Sequence, residues 1–560
     1  MIVNRCTSAA CLIVTIVTSL TMTDSAVACG GFFCQQVPIN QAGEQIIFRR
    51  DGNQVTAVVL ILYAGEAEDF SWVLPVPGIP ELSTGSDLVF APLEVASRPQ
   101  FNLAVTGFPC PRSIGLDGLA STGSADSDDA APGEPDVEIL ESLSVGPFAV
   151  QIVTSTNAQA LAQWLADNDY DLTDRGRELI EPYVLDDMNF VAMKLRQDQA
   201  VGDIQPLILR YESDTPMIPI QLTAVAAESN MGVLVWILGE SRAVPLNYLH
   251  VTPNYTRLNW YAGTNNAYAS YQSLITAAMD EAGGQGFATD YAGSDLDFLS
   301  QLPTVESLSD ELVRLSAIED DAQFVAALAG GFVFSRTKVL EILGRNLPLA
   351  DGEQEFVYQV PELLSASFTP EELAAARAAI VVELNETVID PLRDTLNVLS
   401  GAPYMTRLYT TLSPEEMTLD PRFSFNPDLG DQQLERSARL DLSCTGSLTR
   451  WKVTLGAGTG RDGEHVIDGL GAPPGFFLAP PQIDQDSVWR TETVSTSGPP
   501  QVVTQKQFPV AQVTTDGTPG GFPICGAGVA ECGAGAAGAL LLLLGLRIVS
   551  ARGRRLNRSP

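Results

Sequence analysis

Apolar residues gather into short β-rich runs along the first half of the chain and into helical stripes further on. Ile46, Ile47 and Phe48 fall within 44–49, and a second β-rich run, 55–63, follows the turn signal Asp51-Gly52-Asn53. Two such runs joined through Asp-Gly predict a hairpin, because glycine tolerates the positive φ that a tight reversal requires. Residues 70–74 predict a further strand ahead of Pro75. Asn157 is placed to cap a helix whose Ala158, Leu161, Ala162 and Leu165 share one face, and a second helix is expected over 174–185. Val191, Met193 and Leu195 alternate with Ala192 and Lys194, the period of a half-buried strand. More strands are predicted at 207–211, 218–223 and 232–238.

From 266 to 417 the pattern turns helical. Thr369-Pro370-Glu371-Glu372 is a capping box with proline at the first helical position, opening a helix over 373–388, and Ser413-Pro414-Glu415-Glu416 repeats the device. Amphipathic helices are expected over 310–328 and 338–343. Strands return after Pro421, at 440–444 and 449–455. Residues 480–522 are rich in Pro, Thr, Ser, Gln and Val, a composition that suits an extended stalk. The stretch 113–136 is low in complexity and predicts a solvated loop; its acidic spacing fails the pattern of a calcium loop. The fold class expected is α+β, with a sheet-rich domain over 29–262 and a mainly helical region over 263–480 that ends in strands. A stalk over 481–524 and a membrane anchor or sorting tail over 525–560 follow.

The two ends change the picture. Arg5, the apolar run 11–17 with Leu20, and Ala26-Val27-Ala28 have the order of a secretory signal, so 1–28 is expected to be removed. Cleavage exposes Cys29; Ala26 favours ordinary processing, and acylation of Cys29 is the rival fate. At the other end the apolar run 533–546 spans about 21 Å as a helix, short of a bilayer core of roughly 30 Å. It becomes long enough through Ala551 if Arg547 snorkels. The chain carries 32 Lys+Arg against 68 Asp+Glu, a net of −36. Five arginines, from Arg547 to Arg558, belong to the tail, so the body from Cys29 to Leu546 stands at −41. Such a field repels nucleic acid, while the basic tail suits the cytoplasmic side of a membrane.

Six cysteines survive removal of the signal: Cys29, Cys34, Cys110, Cys444, Cys525 and Cys532. An even number in an exported chain points to disulfides, with many connectivities open. Cys29 and Cys34 can close a small loop through Gly30-Gly31, Cys110 and Cys444 are the remaining pair of the body, and Cys525 and Cys532 flank the anchor. A metal site at Cys29 and Cys34 is the weaker alternative, since their spacing is not that of a zinc knuckle.

Catalytic signatures are sparse. His250 and His465 are the chain's two histidines, so a metal centre needing several is excluded and any triad must recruit one of them. His250 sits near a predicted strand end and is read as structural. His465 lies in a loop after Gly456-Ala457-Gly458-Thr459-Gly460, which imitates a nucleotide-binding turn but lacks the helix that should follow. No cofactor is expected. Carboxylates are plentiful enough for an acid/base pair, yet nothing in the sequence selects two of them.

Cys29-Gly30-Gly31-Phe32-Phe33-Cys34, Gln41-Ala42-Gly43-Glu44 and Trp72-Val73-Leu74-Pro75-Val76-Pro77 resemble the opening of a bacterial exported family, domain of unknown function 2330. Gly283-Gly284-Gln285-Gly286-Phe287 and Thr406-Arg407-Leu408-Tyr409 are similar to its later portions. The resemblance implies export and brings no reaction, ligand or catalytic residue. Cys532-Gly533, the apolar run and the arginine cluster resemble a MYXO-CTERM type of sorting tail. The expected function is an exported, envelope-anchored binding or structural module, touching the membrane through its C-terminal helix and an envelope protein or glycan through its body. The alternative is an envelope hydrolase of glycan or peptide that uses paired carboxylates.

Overall fold

Gln41–Asp51 and Gln54–Leu60 pair antiparallel, and the reversal between them is made at Gly52 with φ 65°, the left-handed backbone that Asp-Gly predicts. The computed structural model describes residues 41–62, 70–108, 138–170, 174–196, 199, 203–261, 263–331, 336–350, 352–445, 448–471 and 483–514. The hairpin belongs to a ten-stranded mixed sheet. From one edge its order is Gln501–Gln505, Val488–Thr493, Leu249–Pro253, Gly286–Gly293, Tyr404–Leu412, Ala227–Gly239, Gln41–Asp51, Gln54–Leu60, Leu207–Glu212 and Glu81–Thr84. Two neighbouring pairs are parallel, Gln41–Asp51 with Ala227–Gly239 and Leu249–Pro253 with Gly286–Gly293.

Alternate residues of a strand face opposite sides, and here both sides are buried. Leu234, Trp236 and Leu238 enter one core, while Val233, Val235 and Ile237 enter another. The first core is shared with Gly263–Glu281, with the helices between Val305 and Leu399, and with a five-stranded sheet. That sheet runs Ala511–Thr514, His465–Leu470, Leu448–Leu455, Glu435–Thr445, Gln100–Gly107. Against the second core packs a four-stranded sheet, Ser71–Val76, Asn189–Leu195, Phe148–Thr154, Glu138–Val145, through Trp72, Val150 and Val191. Its far side is covered by helices Ala158–Asp167 and Asp174–Leu185. Pro75 is accommodated because Ser71–Val76 is an edge strand.

Local signals fix several boundaries. Asn157 Oδ1 accepts from Gln159 N and Ala160 N at 2.9 and 3.2 Å, starting its helix as expected. Thr369 and Glu372 form the full capping box of Pro370–Leu384. That helix runs through one π turn, Asn385–Ile389, into Asp390–Leu399. Pro391 has no N–H to offer Thr387 O, and that carbonyl accepts from Gln205 Nε2 at 2.5 Å instead.

Elsewhere the structure departs from the sequence pattern. Ala192 is buried as deeply as Val191, because helices cover the face that alternation assigns to solvent. Residues 218–223 form the short helix Ile220–Thr223 rather than a strand, following Pro219, which cannot donate to a ladder. The helix expected over 310–328 is two, Val305–Ser316 and Asp321–Gly331. Strands Gly286–Gly293 and Tyr404–Leu412 interrupt the helical region and join the large sheet. Ser413 N donates to Glu416 Oε2 at 2.7 Å, but only a turn follows. Over its described part, the expected stalk consists of Val488–Thr493, Gln501–Gln505 and Ala511–Thr514, all paired within the two large sheets. The ten-stranded sheet draws strands from both sides of the division expected near 262. Among the described residues, no helix is long and apolar enough to cross a membrane. The signal, the Cys29–Cys34 segment, the low-complexity loop (from 113 to 136) and the tail lie outside the described residues.

Candidate functional site

At Leu249–Pro253 and Gly286–Gly293 the second core changes from apolar to polar. Tyr248 and Phe287 belong to that core, with ring centroids 5.5 Å apart. Two residues after them stand His250, on Leu249–Pro253, and Thr289, which shares the face of Phe287 by alternation. Val488–Thr493 places Glu492 opposite His250 in antiparallel register. His250 Nδ1 lies 3.2 Å from Glu492 Oε2, and His250 Nε2 lies 3.0 Å from Thr289 Oγ1.

Burial holds the His250 imidazolium pKa below its usual value, against the pull of Glu492 and with the push of Arg242 and Arg490. Burial pushes the Glu492 carboxyl up, but its bond to His250 and the charges of His250, Arg490 and Arg242 bring it below the usual carboxylate range. At neutral pH the pair is therefore a neutral imidazole beside a carboxylate. Nδ1–H then donates to Glu492, which leaves Nε2 as the acceptor for the Thr289 hydroxyl.

These three side chains line a cavity of about 180 Å³ together with Arg242, Arg436 and Arg490. Arg242–Pro245, paired antiparallel with Phe423–Asn426, forms one wall. Gly458 and Gly460 complete the wall at φ 76° and 74°. A Cβ at Gly458 would lie 2.3 Å from Glu435 O, and one at Gly460 would lie 2.7 Å from the Trp489 ring, so side chains are excluded at both.

The three guanidiniums are held differently. Arg436 is fully buried and spent on the fold: Nε donates to Tyr255 Oη at 3.2 Å, and Nη2 to Asp290 O at 2.9 Å and Thr289 O at 3.3 Å. Arg242 Nη1 donates to Gly430 O at 2.9 Å, but its buried Nε has no acceptor. Arg490 stacks 4.7 Å over Trp489, and its Nε lies 3.2 Å from Glu492 Oε1 outside hydrogen-bond geometry. Three cations against one carboxylate make this cavity positive within a chain of net charge −36.

Glu44 and Asp420 are the other notable carboxylates. Burial, reinforced by Asp420, pushes the Glu44 carboxyl up to about 7, and its Oε2 has no hydrogen-bond partner. Burial likewise raises Asp420 to about 6, although it accepts from Gln221 N and Tyr183 Oη at 3.0 Å each. The cavity at Glu44, closed by Trp72, Leu74 and Leu222, is about 20 Å³, room for one water. Trp72 is buried there and offers no aromatic surface.

His250, read from the sequence as structural, lines the cavity of about 180 Å³. His465 is on a different strand and touches Ile467 O and Asp468. The Gly456–Gly460 turn leads into strand His465–Leu470 rather than a helix, and its Gly458 and Gly460 line the His250 cavity. Thr289, Arg242, Arg490 and Glu492 were not legible as site residues; the one signal was Thr289-Asp290 breaking an apolar strand. Asp290 serves the fold, ion-paired with fully buried Arg407 at 3.1 Å. Cys444 is disulfide-bonded, and its partner lies outside the described residues, as do Cys29, Cys34, Cys110, Cys525 and Cys532. Among the described residues, no group of three or more His, Cys, Asp or Glu side chains is placed to hold a metal ion.

Residues 23–317 match the family described as "Uncharacterized protein conserved in bacteria (DUF2330)". The match takes in Glu44, Trp72, Arg242, His250 and Thr289, and stops short of Arg436, Arg490 and Glu492. No curated protein and no solved structure matches the chain.

Proposed function

The chain belongs to this bacterial family of uncharacterized proteins, and on that premise we propose that it is an exported, envelope-held binding module whose cavity at His250 takes an anionic end group, a carboxylate or a phosphate. The observation that carries the reading is Arg242 Nε, a buried donor on the cavity wall with no acceptor. A guanidinium donor left unpaired costs free energy, and an oxygen of a carboxylate or phosphate supplies the missing acceptor in a charge-assisted hydrogen bond. Arg490 and Arg436 add positive charge from the other walls. At about 180 Å³ the cavity is smaller than the ~300–1,000 Å³ of pockets that engulf a whole small molecule. It suits the terminus of a larger molecule, such as an envelope peptide or an acidic glycan. Export is supported by the leader, by the tail and by a disulfide at Cys444, a bond that persists in oxidising compartments.

Calorimetric titration of the purified body with succinate and, separately, with inorganic phosphate tests this. Binding of one or both at millimolar concentration or better, weakened at least tenfold by Arg242→Gln, is expected, and the stronger arm identifies the anion. Heat indistinguishable from dilution in both arms, with a folded protein, contradicts it.

A further inference from the structure

We propose that Thr289 is a nucleophile for acyl transfer, activated by His250 and held in line by Glu492, so that the cavity hydrolyses esters whose acyl part ends in an anion. This rests on the binding reading above and adds a reaction to it. The arrangement needed is a hydroxyl bonded to a base, the base bonded to a group that orients it, and room beside the hydroxyl for a reacting carbonyl. Thr289 Oγ1, His250 Nε2, His250 Nδ1 and Glu492 Oε2 supply the first two requirements at 3.0 and 3.2 Å. All three side chains line the cavity, which supplies the third.

The surroundings agree with this use. A β-bulge between Thr289 and Tyr291 sets the strand locally, and such bulges re-aim side chains. Arg436 grips Thr289 O and Asp290 O and fixes the backbone beneath the hydroxyl. The groups facing His250 are Glu492, Arg242 and Arg490; burial and the two arginines outweigh the pull of Glu492 and keep the ring neutral, able to accept a proton. Arg242 offers a donor for the negative charge that develops on the carbonyl oxygen or for the anionic end of the substrate.

In the step itself, Thr289 Oγ attacks the ester carbonyl carbon, and its proton passes to His250 Nε2. The carbon–alkoxy bond breaks and that proton leaves with the alcohol. Water, giving a proton to the same nitrogen, then attacks the acyl-threonine. The acid departs, the proton returns to Thr289 Oγ, and the enzyme is restored. Thr289 and His250 are the catalytic residues; Glu492 is a positioning residue.

The test is labelling of the purified body with an alkyl fluorophosphonate, in which the Oγ–P bond forms, the P–F bond breaks and fluoride leaves. Intact mass and peptide mapping locate the label. The proposal expects one phosphonyl group on Thr289, retained in Thr289→Ser, lost in Thr289→Val, and formed about 100-fold or more slowly in His250→Gln. Glu492→Gln should lower the rate and move its pH profile, a change that a purely structural role would not produce. Thr289→Val replaces the hydroxyl with a methyl group, so melting of that variant close to that of the wild type separates lost chemistry from lost folding. Wild-type protein that stays unlabelled at Thr289, or a label that survives Thr289→Val at the same residue's peptide, overturns the proposal. Succinate titration on the same preparation separates the two readings: binding without labelling removes the chemistry and keeps the binding site, and loss of both removes both.

Discussion

Glu44 shows how one side chain sets a pH dependence. Its carboxyl stays protonated in the folded protein up to a pH of about 7, against 4.5 for the ordinary group. The folded state therefore binds the proton more tightly than the unfolded chain. Stability falls as pH rises from about 4.5 to about 7 and is flat above. With each unit worth about 1.4 kcal/mol, Glu44 alone costs about 3 kcal/mol at pH 8. Glu44→Gln should recover most of that at pH 8 and little at pH 4.5, as read by denaturant unfolding at the two pH values. An equal effect at both would show that the carboxyl ionises freely. Legibility differs sharply among such residues. Histidine is rare enough here that His250 draws notice, but Thr289 is 39 positions away and Glu492 is 242 positions away. Spacing along a chain carries no trace of a contact made across three strands. Glu44 stood in a segment with a family resemblance, yet its burial comes from Trp72 and Leu222, which only the fold brings over it.

Elements were most legible where a local signal decides them. The Asp-Gly hairpin, the Asn157 cap and the Thr369 capping box each rest on a backbone requirement met within a few residues. Short apolar runs were not, since a buried helix and a buried strand look alike at that length. The Pro/Thr-rich segment deceived for a related reason: Val488–Thr493 is an internal strand, and its composition reflects exposed neighbours such as Gln501–Gln505. Pairing between elements also bears on the cysteines. Gln100–Gly107 and Glu435–Thr445 run parallel, with Gly107 beside Leu442. Cys444 follows two residues after Leu442 and Cys110 three residues after Gly107, so the disulfide at Cys444 is proposed to be with Cys110. It closes a loop of more than 300 residues, for which chain entropy gives up to about 5 kcal/mol. Non-reducing peptide mapping should recover the two peptides joined. Cys444 linked to any other cysteine would contradict the register argument.

At the scale of the molecule, two sheets and a helical bundle enclose cores on both faces of one large sheet, and the His250 cavity opens where late strands meet early ones. The family match covers the early strands, and the later ones complete the site with Arg490 and Glu492. An acidic body with a cationic cavity at His250 is consistent with the proposed role, an exported module that stays soluble while capturing an anion. Because the chain has two histidines, ring-selective NMR of histidine-labelled protein gives two signals, assigned by His465→Asn. The account predicts that the His250 ring is neutral at pH 7, carries its proton on Nδ1, and shifts on titration with succinate or phosphate while His465 stays still. A His250 ring that is charged at pH 7, or that ignores both anions at tens of millimolar, contradicts it.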